Sequence, residues 1–290
     1  MRVIILGGSG MLGHQVIKGC LQRGFDWFTI VRSNSLLINH FGPEIKDRIR
    51  LISDIKNVDE IGMLLKELKP DYIINCIGVV KQSSFAKNHL ESIAINSLLP
   101  HQLEEIGNRN NSKLIHISTD CVFDGDKGNY SEVDLSNATD LYGKSKYLGE
   151  VDYGSGLTIR TSIIGHEITS DTHGLVEWFL AQNEDVRGFT KAIFSGLTTL
   201  ELTNVILDVI IPANLSPGLY QVGSEPINKF ELLNLVAKVY QRKIEIIPFD
   251  DFQIDRSLNS RTFDSLTGYK CPVWKQLIEE MHQDFKSLTN

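Results

Sequence analysis

Cysteine is scarce in this chain. Four occur in 290 residues, Cys20, Cys76, Cys121 and Cys271, and no two form a C-x-x-C pair. Neither a zinc site nor a dithiol redox motif is readable, so no metal is expected, and this usage fits a reducing cytoplasm. Basic charge is also in short supply. Lys and Arg total 29 against 36 Asp and Glu, a net charge of -7, which disfavours a nucleic-acid partner held by general charge attraction. Long hydrophobic runs are missing. The apolar run after Arg2 stops at Gly7, too short for the core of a signal peptide, and no stretch approaches a membrane span, so no membrane partner is expected. No internal repeat, low-complexity tract or linker stands out. What remains is ordinary for a globular protein: 42% hydrophobic and 22% charged residues, enough chain for one large domain or two smaller ones.

Through the first half, short apolar strands alternate with longer amphipathic stretches. Strands are expected at Val3–Leu6, Trp27–Val31, Arg50–Ser53, Tyr72–Cys76, Lys113–Ser118 and Leu157–Thr161. Helices are expected at Leu12–Arg23 and near Val58–Leu68, Leu90–Gly107 and Tyr142–Glu150. This rhythm predicts an α/β fold: a Rossmann-like, doubly wound parallel sheet with its ligand crevice at the carboxyl ends of the strands. After about Gly165 the rhythm breaks into helices at Leu175–Gln182, Leu200–Ile211 and Phe230–Tyr240 and short strands at Leu219–Val222 and Ile244–Ile247. Residues 1–165 are therefore read as a dinucleotide-binding domain, to which parts of 195–225 return. Residues 166–290 are read as a smaller, interleaved α/β substrate lobe. In the tail, Trp274, Leu277, Ile278, Met281 and Phe285 share one helical stripe, read as core.

Immediately after the first strand comes Gly7-Gly8-Ser9-Gly10-Met11-Leu12-Gly13. Glycine suits the tight turn, Gly10 lets backbone approach a pyrophosphate, and Gly13 permits close helix–strand packing. The helix that follows points its free N–H groups and positive dipole end at phosphates. Gly7, Ser9, Gly10, Met11, Leu12 and Gly13 are thus the expected pyrophosphate segment.

Far downstream, Tyr142 and Lys146 lie four residues apart, on one face of a helix. Lys146 is expected to lower the phenol pKa from roughly 10, so that Tyr142 serves as acid to a carbonyl receiving hydride. Thr119, at the end of the fifth strand, is placed to hydrogen-bond the same oxygen as its charge develops. In this order the motifs point to a nicotinamide-dependent oxidoreductase. Of the histidines, His14 is read as a helix-surface residue and His116 as a packed one. His166 and His173, flanking Glu167 and Asp171, match no metal spacing.

These motifs resemble the extended short-chain dehydrogenase/reductase superfamily. Ser118-Thr119-Asp120-Cys121-Val122-Phe123-Asp124-Gly125, Tyr142-Gly143-Lys144-Ser145-Lys146 with Gly149-Glu150, Arg160-Thr161-Ser162 and Arg256-Ser257-Leu258-Asn259-Ser260 are closer still to the dTDP-4-dehydrorhamnose reductase family. The resemblance implies Thr119, Tyr142 and Lys146 as catalytic residues. It also implies Asp54 and Ile55 beside the adenine, Cys76, Ile77 and Gly78 beside the ribose, and Thr161 with Ser162 near the nicotinamide. Asn96 is either an organiser of the site or structural. Where NAD-specific members place an acid after the second strand, this chain has Val31-Arg32-Ser33, so Arg32 favours NADPH while NADH stays admissible.

Three departures bear on the substrate. Cys121 replaces a family tyrosine, Ile163 replaces a tryptophan, and Asn75-Cys76-Ile77-Gly78-Val79-Val80 replaces a segment that carries an aromatic. Asp120, Cys121, Ile163, Trp178 and Arg256 are the expected substrate residues, with Phe179 and Phe189 as further pocket walls and Arg256 meeting a diphosphate. The implied reaction is NADPH-dependent reduction of a nucleotide-linked 4-keto-6-deoxy sugar. Two other readings stand beside it: a dinucleotide-binding regulatory subunit like the β subunit of methionine adenosyltransferase, and a sugar-nucleotide epimerase or dehydratase. Oligomeric state is open, a homodimer included.

Overall fold

The structure, a computed structural model, describes residues 1–80, 87–169 and 174–289. The chain begins β1 (Arg2–Leu6), α1 (Met11–Arg23), β2 (Asp26–Val31), α2 (Ser35–Phe41), β3 (Ile49–Leu51), α3 (Val58–Leu68), β4 (Tyr72–Asn75). Next come α4 (His89–Ser92), a π-helical stretch (Ile93–Leu98), α5 (Leu99–Arg109), β5 (Lys113–Ile117), α6 (Leu141–Tyr147) and β6 (Leu157–Arg160). The second half holds β7 (Ile163–Ile164), α7 (Leu175–Leu180), β8 (Val186–Phe194), β9 (Leu197–Thr198), α8 (Thr199–Asn204), a second π stretch (Val205–Ile210) and α9 (Ile211–Ala213). It closes with β10 (Gly218–Gln221), β11 (Ile227–Asn228), α10 (Lys229–Val239), β12 (Ile246–Asp255), α11 (Arg261–Thr267) and α12 (Trp274–Thr289).

Seven strands form one sheet in the order β10-β6-β5-β4-β1-β2-β3, every neighbouring pair parallel. The strand order reverses between β1 and β4, where a doubly wound sheet opens its crevice. Apolar residues run unbroken through β1 because both faces are covered. Val3 and Ile5 feed a core under α1 and α8, while Ile4 and Leu6 feed the opposite core under α3 and α5. The returning strand β10 pairs with β6, extending the sheet with late sequence.

A second, three-stranded sheet runs β11-β8-β12, with α10, α7 and α12 packed around it. Trp274, Leu277, Ile278 and Met281 of the tail stripe are buried there, and Phe285 stacks on His166 at 3.8 Å between ring centroids. Two features differ from expectation. β8 was not anticipated, because Gly188, Arg187 and Lys191 interrupt an alternation whose buried positions are Val186, Gly188, Ala192 and Phe194. β12 is longer than Ile244–Ile247 and starts two residues later; Pro248, Asp250 and Asp251 mask it, and its register shifts between Phe249 and Gln253. Among the described residues, no helix is long and apolar enough to cross a membrane.

Candidate active site

The glycine turn has the shape its sequence demands. Gly7 adopts φ +81°, and a Cβ on Gly13 would lie 2.1 Å from the Gly7 carbonyl oxygen. Helix α1 therefore begins hard against the turn. Gly10 caps it without any side-chain hydrogen bond, leaving the first amides of α1 directed outward as a phosphate site requires. His14 is not on the surface. It is 2% exposed, with Nδ1 2.9 Å from the Gly10 carbonyl, because α1 is covered on one side by the sheet and on the other by α8 and α12. Burial pulls its pKa down to about 4.

From this turn a cavity of about 490 Å³ runs along the strand ends into the second lobe. Gly10, Met11, Leu12, Cys76, Ile77, Gly78, Thr119, Asp120, Cys121, Tyr142, Lys146, Thr161 and Ile163 all line it. Residues from five separate segments of sequence are thus brought to one wall. Gly7, Ser9 and Gly13 form the turn behind that wall. Arg32 is exposed at the carboxyl end of β2, and among the described residues it makes no hydrogen bond or ion pair. Asp54 accepts from the Lys56 amide at 3.0 Å, and Ile55 is buried in the α3–α5 core. This set fits a dinucleotide: open amides and close-packed glycines for a pyrophosphate, an unpaired guanidinium for a ribose phosphate, and an adjoining cavity for the reactive ring.

Thr119, Tyr142 and Lys146, the trio expected to be catalytic, are held by neighbouring backbone. Gly143 lets α6 approach the turn after β5, since a Cβ there would lie 2.2 Å from the Cys121 carbonyl oxygen. That approach brings the Thr119 side chain into hydrogen-bonding contact with Tyr142. Asn96, fully buried in the π stretch, accepts from the Val79 amide at 2.8 Å and donates to the Val79 carbonyl and the Ser145 hydroxyl. It ties the loop after β4 to the helix bearing Tyr142 and Lys146, and so acts as an organiser of the site.

The expected lowering of the Tyr142 pKa by Lys146 does not occur here. Burial raises the phenol pKa, the nearby Cys121, Asp120 and Asp140 side chains push it the same way, and the Thr119 contact opposes it. Lys146 instead donates to the Ile117 carbonyl at 2.6 Å and lies 3.3 Å from His116 Nε2. Asn75 fixes the partner's tautomer. Its Oδ1 accepts from the Ile77 amide, so its Nδ2 faces His116 Nδ1 at 3.1 Å and the imidazole proton belongs on Nε2. An Nε2–H directed at Nζ favours the uncharged amine. Burial lowers the Lys146 pKa to about 8, and Glu150 and Cys76 only partly oppose it. Glu150 in turn is paired with buried Arg160 at 2.7 and 2.8 Å and accepts from the Ser118 hydroxyl at 2.7 Å.

Several expected substrate residues lie elsewhere. Trp178 is 43% exposed, because α7 turns Val176 and Phe179 into the second core and leaves Trp178 outward. Phe189 packs on Phe249 and Phe252. Arg256 is outside the cavity wall; its Nε donates to the Phe123 carbonyl at 2.8 Å and its Nη1 reaches Cys121 Sγ at 3.8 Å, clamping the turn after β5 from behind. His173 and Asp171 lie outside the described residues, among which no cluster of three or more His, Cys, Asp or Glu is arranged for a metal. Sequence reasoning missed Lys229 and Phe194, which join the wall from the second lobe. The only available signal was Asn228 capping α10 by accepting from the Glu231 amide, which placed Lys229 at a helix start without saying what it faced.

A family model described as RmlD substrate binding domain matches residues 1–286. The dTDP-4-dehydrorhamnose reductase of Aggregatibacter actinomycetemcomitans is 26% identical over 261 residues, 85% of this chain and 82% of that protein. The methionine adenosyltransferase 2 subunit beta of Danio rerio is 30% identical over 150 residues, 51% of this chain and 42% of that protein. The crystal structure of Bacillus anthracis dTDP-4-dehydrorhamnose reductase in complex with NADP shares the fold, with TM-score 0.79, 21% identity and 98% of each chain covered.

Proposed function

The chain belongs to the RmlD substrate binding domain family, that of the dTDP-4-dehydrorhamnose reductases, and on this premise we propose that it reduces a nucleotide-linked 4-keto-6-deoxy sugar with a nicotinamide cofactor. The observation that carries this reading is the Thr119–Tyr142 contact inside a cavity continuous with the glycine turn. Residues 1–165 with 195–225 hold the cofactor in this reading, and the remainder of 166–290 closes over the sugar.

A reduced nicotinamide held by the glycine turn and the adjoining cavity would supply hydride to the carbonyl carbon. Tyr142, its pKa raised by burial, keeps its proton at neutral pH and gives it to the carbonyl oxygen. Thr119 orients that oxygen and the phenol together. Lys146, one helical turn on, is charged below about pH 8 and then supports the phenolate left behind. Cys76, its thiol pushed up to about 12 by burial, stays neutral and takes no part in proton transfer. Arg32, unpaired at the end of β2, gives NADPH the advantage over NADH, and a reducing cytoplasm suits four free thiols.

A regulatory, non-catalytic role is the other reading, and the relative that suggests it covers half of this chain. A hydroxyl, a phenol and a lysine gathered on one cavity wall favour catalysis. The test is NADPH oxidation by purified protein with a panel of nucleotide-linked 4-keto sugars. Tyr142→Phe is expected to lose roughly 10²–10⁴-fold in kcat while NADPH affinity changes little. Near-normal turnover by that variant rejects Tyr142 as the acid, and no turnover of any 4-keto sugar by the unaltered protein rejects the reductase reading.

A further inference from the structure

Opposite Thr119, Tyr142 and Lys146, the second lobe contributes a cation that, among the described residues, is in no ion pair. Lys229 opens α10, and its ammonium end is enclosed in the cavity wall although the residue as a whole is half-buried. Nζ stands 4.1 Å over the centre of the Phe194 ring. An aromatic face steadies a desolvated ammonium without satisfying its three donors. Among the described residues, Lys229 makes no hydrogen bond and no ion pair. Across the cavity is Asp120, also buried, whose carboxylate accepts from the Thr119 hydroxyl at 3.1 Å. Lys229 and Asp120 feel each other's charge yet do not touch.

That gap has a definite chemistry. An ammonium only donates hydrogen bonds and a carboxylate only accepts them. A group placed between them must accept from one and donate to the other, which a hydroxyl does with a single oxygen. A phosphate would satisfy Lys229 but be repelled by Asp120, and a carbonyl or ring oxygen would add no donor for Asp120 beyond those of Thr119 and Cys121. Burial raises the Asp120 pKa and lowers that of Lys229, so both groups are short of solvation that a bridging ligand would restore.

Position follows from Thr119. Its side chain contacts both Asp120 and Tyr142, so the Asp120 carboxylate lies one hydroxyl away from the proton donor. Resting on the reductase reading above, we propose that Lys229 and Asp120 together read the hydroxyl on the ring carbon next to the carbonyl, the 3-hydroxyl of a 4-keto-6-deoxy sugar. The 5-carbon of such a sugar carries a methyl group and no hydroxyl. The pair thereby selects α-hydroxy ketones over 3-deoxy sugars and holds the carbonyl against Tyr142.

The experiment measures kcat/KM with NADPH for a nucleotide-linked 4-keto-6-deoxyhexose and its 3-deoxy counterpart, using full-length protein and Lys229→Met. The unaltered protein is expected to prefer the hydroxylated sugar by about ten- to a hundredfold, the value of one hydrogen bond to a charged group. Lys229→Met should lose that factor on the hydroxylated sugar, stay within about threefold on the 3-deoxy sugar, and keep its NADPH affinity. Lys229→Gln, which retains a donor, should fall between and serves if the methionine variant does not fold. Equal losses on both sugars, or no preference in the unaltered protein, overturn the assignment while leaving the reductase reading intact. Turnover of neither sugar rejects the reductase reading and this inference with it.

Discussion

Replacing Lys146 with methionine should stabilise the ligand-free protein at neutral pH while removing its activity. The side chain is 4% exposed, and its pKa falls from 10.5 to about 8 on folding. Below pH 8 the native state holds a charge that the unfolded chain hydrates freely. A lysine depressed that far costs the native state about 3 kcal/mol at low and neutral pH. As pH rises from 8 towards 10.5 the native lysine is already neutral while the unfolded one still binds its proton. The unfolded state then binds more protons, so the stability of the unaltered protein climbs through this window. Methionine carries no such cost at any pH, but it forfeits the bond to the Ile117 carbonyl, worth about 1–2 kcal/mol.

The expected signature is thus a pH dependence rather than a single number. Lys146→Met should exceed the unaltered protein by about 1–2 kcal/mol from pH 5 to 7, and this advantage should shrink by about 2 kcal/mol by pH 9.5. Other titrating groups common to both proteins cancel in the difference, apart from His116, Cys76 and Glu150, which sense the lysine charge. Urea unfolding of both proteins without cofactor, at pH 5, 7, 8 and 9.5, reads it directly. A stability difference flat across that range would show that Lys146 is not depressed in the native state, and the tautomer argument through Asn75 and His116 would fall with it.

Two further substitutions probe the floor and the cofactor end. Glu150→Ala leaves the Arg160 guanidinium, 3% exposed, without its carboxylate, and should cost about 3–5 kcal/mol in urea unfolding; a loss below about 1 kcal/mol would mean that water reaches the arginine. Arg32→Ala should weaken NADPH by about ten- to a hundredfold, the value of a charge-assisted bond to the 2′-phosphate, and leave NADH nearly unchanged; equal losses in titrations of both cofactors refute the assignment.

Legibility in the sequence tracked the range of the interactions involved. The β1–α1 turn was readable because its constraints are local: Gly13 must clear Gly7, six residues away. The inner strands β1, β4, β5 and β6 were readable because burial on both faces makes each a dense, largely apolar run bounded by turns. The second lobe was less so. β8 and β12 pair across some sixty residues, and their outward faces carry Arg187, Lys191, Asp250 and Asp251, which blur the alternation. His14 looked like a surface residue because nothing near it in sequence announces that α8 and α12 will cover α1.

Candidate catalytic residues could be named from their motifs, but their electrostatics could not. A Tyr-x-x-x-Lys spacing says that two side chains share a helix face. It does not say that the lysine will be drawn onto the Ile117 carbonyl or that burial will outweigh its charge at the phenol. Those outcomes depend on Asn75, Ile77 and His116, which approach from two neighbouring strands and the loop between them. Lys229 was invisible for the same reason. A lysine after a helix cap is ordinarily a solvated charge, and only the docking of β8 and α10 against the strand ends encloses it. Tyr142 on α6 and Thr119 just after β5 both come from the part of the chain built on the seven-stranded sheet, whereas Lys229 comes from α10 beside the second sheet. For this reason substitutions at Lys229 should alter the ratio between substrates, and those at Tyr142 the rate for all of them.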